Sequence, residues 1–333
     1  MDYLLLVLII AAALGFEFIN GFHDTANSIA TTVYTKALPV AAAIALAACM
    51  NFVGAFVFEG VAQTISKGLV SVTLDDYVIL AALLAAIIWN LFTWWKGIPC
   101  SSSHALIGGL LGAAIAHTMS LGSIQWDGVL QKVFIPMITS PIIGFFLAFF
   151  LIKLINKLFA RANHRKASKV FLRLQVLSAA AVAFSHGTND AQKTMGIITL
   201  ALFTGGILGS AEHIPIWVKL ICALTMAAGT SVGGWRVMST MGRGVTKLDP
   251  VKGFTAQMSS AAVIYVMTAL HAPISTTQAI TSAVMGVGSA RRLRAVKWSK
   301  AGEIALTWVI TPVASIALGA AFVFIVQLIM HIL

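Results

Sequence analysis

Hydrophobic residues in this chain form long runs that are interrupted by short polar segments. Runs of roughly 20 apolar residues have the length at which an α-helix spans the hydrocarbon core of a bilayer. The pattern therefore predicts two successive sets of five membrane segments. They are expected at residues 3–20, 38–57, 78–96, 98–117 and 130–156, and at about 171–203, 214–235, 253–270, 272–288 and 303–331.

The composition agrees with an all-α polytopic membrane protein, because 59% of the 333 residues are hydrophobic and only 10% are charged. No polar stretch is long enough to form a large soluble domain. The segment from Met1 to Leu14 lacks a basic region and a cleavage site of small residues, so we predict a retained first span. The three cysteines, Cys49, Cys100 and Cys222, stand apart in apolar surroundings, which disfavours a disulfide framework or a structural metal site.

Two polar stretches interrupt the apolar pattern, at residues 20–28 and 186–194, and they resemble each other. Their shared Gly-x-x-Asp pattern places Asp24 opposite Asp190, with several amide side chains beside each aspartate. Ionisable residues at membrane depth are costly, so their presence indicates a functional site rather than packing.

A second pattern, a proline followed by a hydroxyl triplet, also occurs twice. It lies at residues 98–105 and at 272–279, in each case roughly 80 residues after the Gly-x-x-Asp motif. Two motifs repeated in the same order indicate an internal duplication. Because each repeat has an odd number of segments, the second copy is predicted to be inverted in the bilayer, as in many secondary transporters. We assign residues 1–157 to the first repeat, 158–170 to a basic cytoplasmic linker and 171–333 to the second repeat.

The formal net charge of +11 is concentrated in a few loops between the segments. This bias is typical of the cytoplasmic loops of a membrane protein, and it argues against a nucleic-acid partner. The inside loops would hold Lys36, Lys96 and the basic stretches 153–173, 236–252 and 291–300. Acidic residues prevail in the other loops, around residues 58–77, 118–128 and 204–213. The distribution predicts that both termini lie outside.

The hydroxyl triplets favour an anion site. A proline, a run of hydroxyl residues and a glycine-rich continuation suit broken or re-entrant half-helices that line a cavity. The N-terminus of such a half-helix presents free N–H groups and a positive dipole end. In the alternative interpretation, the hydroxyls bond to helix carbonyls or join neighbouring helices. The triplets are Ser101, Ser102 and Ser103 in the first half and Ser275, Thr276 and Thr277 in the second.

The Gly-x-x-Asp motifs would supply oxygen ligands. Asp24 and Asn27 share a face of a helix, and their oxygens could bind a cation or accept hydrogen bonds from a protonated anion. Asp24 and Asp190 are also the candidate metal ligands. Lys193 occupies the position that corresponds to Asn27 and so breaks the symmetry. It could neutralise the charge of a substrate, or it could form a structural ion pair with Asp190.

Other polar residues near the motifs are candidates for ion coupling or for support of the site. Glu17 and the motif histidines could carry protons, although a histidine in an apolar run can also be a hydrogen-bonded structural residue. His104 and Gln278 hold matching positions in the two triplet segments and could act as supporting donors. The full set comprises Glu17, His23, His104, His186, Asn189, Lys193 and Gln278.

These motifs resemble those of the inorganic phosphate transporter (Pit) family. The resemblance rests on residues 20–28 and 99–104 in the first half, and on 185–193, 229–230 with 235–236, and 273–277 in the second. It implies secondary phosphate uptake, with phosphate held between the aspartate motifs and the triplets of both repeats. By position, the implied phosphate ligands are Asp24, Asn27, Ser101, Ser102, Ser103, Asp190, Ser275, Thr276 and Thr277.

Two departures bear on the coupling ion. Sodium-coupled members of the family resemble one another in an Asn-Asp-x-x-Asn pattern in both repeats. Here His23 stands at the first asparagine of the first repeat, and Lys193 stands at the last asparagine of the second. The departures resemble the bacterial proton-coupled branch, to which transport of neutral metal–phosphate complexes is attributed.

These observations together predict a proton-coupled symporter that imports inorganic phosphate through a bacterial inner membrane. No resident cofactor is expected, although a divalent metal could accompany phosphate, and arsenate should compete. The alternatives are a sodium-coupled phosphate symporter, a sulfate permease of the same fold and an anion channel. No motif of an ATPase or a common hydrolase supports an enzyme. Membrane lipid is a further partner, and a homodimer is left open.

Overall fold

The computed structural model describes residues 3–71, 74–234, 237–238, 240 and 245–332 of the chain. Regular structure in these residues is helical, apart from two isolated β-bridges. We number the helices α1 (Tyr3–Tyr34), α2 (Val40–Gly54), α3 (Gly60–Lys67), α4 (Asp76–Lys96), α5 (Ser102–Thr118), α6 (Trp126–Val129), α7 (Ile135–Leu158), α8 (His164–Thr204), α9 (Ile216–Val232), α10 (Pro250–Ala269), α11 (Thr276–Ser289) and α12 (Trp298–Ile332). A π-helical turn, Leu130–Phe134, joins α6 to α7.

Helices long and apolar enough to cross a membrane confirm the all-α polytopic class. Among the described residues, five helices meet both requirements, namely Tyr3–Tyr34, Asp76–Lys96, Trp126–Leu158, Arg165–Thr204 and Trp298–Ile329. The helices α2 and α9 are also apolar but shorter. Side chains on the outer surface of α7 and α12, among them Phe150 and Val313, are exposed and suit contact with lipid.

The helix boundaries follow the predicted segments, with three differences. The first polar motif lies inside α1 rather than after the first span, because the helix continues to Tyr34. The short helix α3 has no counterpart among the predicted segments. The stretch 158–170 is helical from His164 onward, since Asn163 caps α8 by accepting hydrogen bonds from the backbone N–H groups two and three residues later, at 3.0 and 3.3 Å.

The two Pro-hydroxyl segments share a backbone conformation and a helix cap. Gly97 and His271 adopt left-handed conformations, with φ of 66° and 62°, two residues before each proline. Ser101 and Ser275 then cap α5 and α11, each accepting a hydrogen bond from the backbone N–H three residues later at 3.2 Å. The proline and the triplet therefore start a helix in each half, as the sequence predicts, instead of interrupting one.

The halves also share their connections on the far side of these helices. Trp126 donates its indole N–H to the carbonyl of Leu121 at 2.9 Å, and Trp298 donates likewise to Leu293 at 2.8 Å. Each of these turns is accompanied by an isolated antiparallel bridge. Packing is reciprocal as well, because α5 lies against α4 and α12 while α11 lies against α10 and α7.

Two apolar clusters enclose a polar band across the middle of the helices. One cluster includes Phe16 of α1 and Met195 of α8, and the other includes Ala26 of α1 and Ala183 of α8. Both helices therefore pass from one apolar cluster to the other. The two Gly-x-x-Asp motifs lie in the stretch between, which is where the candidate site forms.

Candidate anion-binding site

The two motif aspartates lie close together because α1 packs against α8. The imidazole of His186 joins them, with its Nε2 atom 3.1 Å from Asp190 Oδ2 and 3.9 Å from Asp24 Oδ2. Asp24 is 2% exposed and Asp190 is fully buried. A pair of carboxylates in such a setting is stable only with protons, cations or hydrogen-bond donors around it.

The N-termini of α5 and α11 converge on this carboxylate pair. Ser102 donates to Asp24 Oδ2 at 2.8 Å, and Thr277 is 3.4 Å from Asp24 Oδ1. Thr276 is 3.4 Å from Asp190 Oδ2. The first backbone N–H groups of a helix have no partner within that helix. Hydroxyls and the positive ends of two helices thus meet at one buried point.

Asn27 connects α1 to the start of α11. Its amide nitrogen donates to the hydroxyl of Thr277 at 2.9 Å and approaches that of Thr276 at 3.4 Å. Within the described structure its Oδ1 atom accepts no hydrogen bond. A buried acceptor left open next to hydroxyls and a carboxylate suits a ligand that brings a proton or a cation.

Lys193 forms the ion pair that the sequence left as an alternative. Its ammonium lies 2.5 Å from Asp190 Oδ1 and 3.3 Å from the carbonyl of Ile274, and it also donates to the hydroxyl of Ser103. Ser103 in turn donates to Ile274 O at 2.7 Å. The ammonium therefore joins α8 to both triplet segments.

The remaining serines of the triplets have another role. Ser101 and Ser275 use their hydroxyls as helix caps, so they hold the two N-termini in place rather than contact the carboxylates. Four of the six predicted triplet hydroxyls thus reach the polar cluster directly, or through Lys193 in the case of Ser103.

The histidine of the first motif also holds Asp24. His23 Nδ1 lies 2.8 Å from Asp24 Oδ1, and its Nε2 atom is near the Thr93 hydroxyl at 3.3 Å and the Cys100 sulfur at 3.6 Å. This ring therefore fixes the orientation of the carboxylate and connects it to α4.

The other coupling candidates lie outside the carboxylate cluster. Glu17 accepts a hydrogen bond from Thr194, and its second oxygen has no hydrogen-bond donor among the described residues. Asn189 donates to Thr268 of α10 at 2.8 Å and to the Ala272 carbonyl at 3.1 Å, and so anchors the segment before α11. The imidazole of His104 and the Oε1 atom of Gln278 make no hydrogen bond within the described part of the chain. Their role as supporting donors stays a prediction.

A cation could bind between the aspartates. Asp24, His186 and Asp190 each offer a ligand atom, and these atoms lie within 4.8 Å of one another. The predicted metal ligands Asp24 and Asp190 are thus together, with an imidazole that the sequence assigned to coupling. Carboxylate oxygen and imidazole nitrogen are common ligands of divalent transition metals.

Comparison with known protein families identifies the chain. The family model described as the phosphate transporter family matches residues 20–319, which include both motif pairs. The chain belongs to the phosphate transporter family. A structure of a sodium-dependent phosphate transporter is similar throughout, with a TM-score of 0.90, 27% identity, and coverage of 98% of this chain and 99% of that one.

Bacterial relatives in the family match over nearly their full lengths. A protein of Bacillus subtilis named "Probable low-affinity inorganic phosphate transporter" is 50% identical over 99% of this chain and 100% of its own. A Rhizobium meliloti protein of the same name is 47% identical over 98% and 97%. The stretch 235–236, which contributed to the sequence resemblance, lies outside the described residues.

The site also contains polar residues that the sequence did not predict as part of it. Asn20 Oδ1 lies 2.7 Å from the Ser102 hydroxyl, whose single proton is shared between this amide oxygen and Asp24. Asn51 of α2 is 3.0 Å from His186 Nδ1 and donates to Thr230 of α9 at 3.0 Å. Asn51 and Thr230 are polar residues in apolar runs, a signal that marks them as candidates without showing what they contact.

The motif glycines bring the helices close enough for these contacts. A Cβ atom on Gly21 would lie 2.6 Å from the Met226 carbonyl oxygen and 2.9 Å from the Thr230 nitrogen. One on Gly187 would lie 2.8 Å from the Cα atom of Asn51. Since only glycine allows backbones to approach so closely, each motif glycine positions the aspartate that follows it.

The site of this family member is occluded. All nine residues predicted to bind phosphate are at most 2% exposed. A ligand at this site would therefore be shielded from both sides of the membrane, and release would require helices to move.

Proposed function

We propose that this protein imports inorganic phosphate through the cytoplasmic membrane of a bacterium by proton-coupled symport. The observation that carries the proposal is the buried cluster of Asp24, Asp190, triplet hydroxyls and two helix N-termini. The relatives named as phosphate transporters, which match over nearly their full lengths, support the same substrate.

The mixture of donors and acceptors favours phosphate over sulfate. Hydroxyls and helix N–H groups can donate to phosphate oxygens, while a carboxylate such as Asp24 can accept the proton of a P–OH group. The open acceptor of Asn27 offers a second such position. Sulfate carries no proton at neutral pH, so it would face carboxylates without compensation. Arsenate shares the geometry and protonation of phosphate and is expected to compete.

We further propose that residues 1–157 and 171–333 are inverted repeats on either side of the linker at 158–170. The equivalent helix caps, left-handed residues and indole hydrogen bonds of the two halves support the duplication. The distribution of basic loops supports placing both termini outside. In transporters built in this way, substrate binds near the midplane at the interface of the repeats.

The position of Lys193 supports protons rather than sodium as the coupling ion. Its ammonium already contacts Asp190, the hydroxyl of Ser103 and a backbone carbonyl, all of which are groups that a sodium ion would need. Glu17 is the proton carrier in this proposal, because one of its buried oxygens is open. The sodium-dependent structural relative favours sodium instead, and uptake measured without sodium separates the two.

In this proposal, a divalent metal is cargo that accompanies phosphate. The ligand set of Asp24, His186 and Asp190 suits such an ion, and neutralisation of phosphate by metal would lower the cost of transfer through the membrane. Stimulation of phosphate uptake by Zn²⁺ or Mn²⁺, with uptake of the metal in proportion, is the expected result.

Uptake of labelled phosphate into proteoliposomes tests the proposal. Uptake should saturate, exceed the outside concentration when the lumen is alkaline, collapse with a protonophore and persist when choline replaces sodium. Unlabelled arsenate should compete and sulfate should not. Uptake that requires sodium and ignores the protonophore would assign sodium coupling. Uptake that never exceeds equilibrium would indicate a channel, and competition by sulfate alone would contradict phosphate specificity.

A further inference from the structure

A basic pocket lies at the end of α1 and α11, away from the phosphate site. Its volume is about 910 Å³, and Tyr34 and Gly288 form part of its wall. Six cationic side chains line it, namely Lys247, Lys252, Arg291, Arg292, Arg294 and Lys297. A single phosphate ion would leave most of this volume empty.

The pocket has a large excess of positive charge. Asp249 pairs with Lys252 at 3.3 Å. Among the described residues, Lys247 and the three arginines take part in no ion pair. A cleft lined by charges of one sign concentrates the opposite ion. The basic stretch 153–173, by contrast, contributes no side chain to this pocket. The general excess of basic residues in cytoplasmic loops therefore does not explain why six of them line one cleft.

Two loops form the wall of the pocket and are hydrogen-bonded to each other. Thr246 donates its hydroxyl to the Ala295 carbonyl at 3.0 Å, and the Lys297 backbone N–H donates to Val245 at 2.9 Å. Both loops pack on the last turn of α11, where a Cβ atom on Gly288 would lie 2.8 Å from the Val296 side chain. An occupant of the pocket would thus act on the end of α11.

The same helix reaches the phosphate site at its other end. Thr276 and Thr277, its first residues, contact Asp190 and Asp24. The distance along α11 from Thr276 to Gly288 is about 18 Å at 1.5 Å per residue. One rigid element therefore connects the basic pocket to the site where the substrate is proposed to bind.

We propose that this pocket binds an anion that carries two or more phosphate groups. Two sources share this chemistry: a soluble polyphosphate or nucleoside polyphosphate, and the headgroup of an anionic phospholipid that has two phosphates, such as cardiolipin. Arginine guanidinium groups bind phosphate through paired hydrogen bonds, and basic pockets between membrane helices are suited to phosphorylated headgroups. Occupancy holds the end of α11 and slows phosphate transport.

The soluble source is tested with tripolyphosphate. Calorimetric titration of the purified full-length protein, with excess inorganic phosphate and at about 150 mM salt to screen loose surface attraction, should show saturable binding. The triple variant R291Q/R292Q/R294Q should weaken it at least about tenfold, since the charge-assisted hydrogen bonds from three guanidinium groups are lost. The matched control R161Q/K166Q/K169Q removes three charges from the linker region and should bind as the parent does.

The lipid source is tested in nanodiscs of phosphatidylcholine with or without cardiolipin. Cardiolipin should raise the unfolding temperature of the parent and the linker control but not that of the pocket variant. Selective loss in either arm supports the proposal and names the source. Binding in neither arm, or equal weakening in the pocket variant and the linker control, overturns it. Retained phosphate uptake by the pocket variant shows that the variant is folded.

Discussion

At the scale of single residues, the two aspartates that align in sequence have different surroundings. Asp24 is held by His23 and by the hydroxyls of Ser102 and Thr277. Asp190 is held mainly by the ammonium of Lys193, with His186 between the two carboxylates. In the proposed transport, Asp24 is therefore the carboxylate that exchanges hydroxyl donors for a substrate proton, whereas the charge of Asp190 is balanced by Lys193.

This difference predicts the effect of Asp24→Asn. The amide keeps the volume but replaces an acceptor by a donor, so a hydrogen bond from a protonated phosphate is lost. One charge-assisted hydrogen bond is worth about 1.5–3 kcal/mol, so the initial rate of phosphate uptake at low substrate should fall at least about tenfold. The control Asp127→Asn changes an exposed carboxylate and should transport normally. Equal uptake rates for the two variants would show that Asp24 does not bind phosphate.

The ion pair between Lys193 and Asp190 predicts a coupled effect on stability. Lys193→Met leaves a buried carboxylate without its partner, which costs about 3–5 kcal/mol. The double variant D190N/K193M has no unpaired charge at either position, so it should unfold at a higher temperature than K193M alone. Thermal unfolding in detergent measures both. Lys67→Met breaks an exposed pair with Glu212 and should cost less than about 1 kcal/mol. Additive losses in the double variant would show that the two side chains do not depend on each other.

At the scale of helices, close crossings depend on single glycines. A methyl group on Gly21 would meet backbone atoms of α9, and backbone cannot move aside as a side chain can. Gly21→Ala should therefore destabilise the protein by about 1–3 kcal/mol and disturb the contact that positions Asp24. Gly15→Ala, earlier on the same helix, has open space at that position and should stabilise the helix by about 0.5–1 kcal/mol. The unfolding temperatures of the two variants measure these effects. A G21A variant more stable than the parent would contradict the close crossing of α1 and α9.

The elements were largely predictable from sequence, and their contacts were not. Apolar runs located the membrane helices, and the proline with its triplet located the starts of α5 and α11, because both signals are local. The first span was placed too short, since polar residues up to Asn27 ended the apolar run although the helix continues. Asn51 and Thr230 join the site only because α2 and α9 cross α8 and α1, and no pattern within one segment reports such a crossing.

At the scale of the whole molecule, the occluded site and the reciprocal packing suggest how access could alternate. The helices α5 and α11 end at the site with their N-termini and pack against different partners, α4 with α12 and α10 with α7. In the proposed transport cycle, displacement of one group opens the site towards one side of the membrane while the other group stays in place. If the two halves are inverted in the membrane, equivalent movements of the two groups open the site towards opposite sides. The side of the membrane on which each loop lies therefore tests this mechanism.

Cysteine labelling measures that orientation directly. Ser120 lies in the exposed loop after α5 and Lys166 lies in the exposed first turn of α8, and they are predicted to lie on opposite sides. In a parent with exposed Cys49 replaced by alanine, S120C should react with a membrane-impermeant maleimide in intact cells, whereas K166C should react only after permeabilisation. The parent alone is the control for reaction at the two buried cysteines. Labelling of K166C but not S120C in intact cells would reverse the topology, and labelling of both would show that the two loops do not lie on opposite sides.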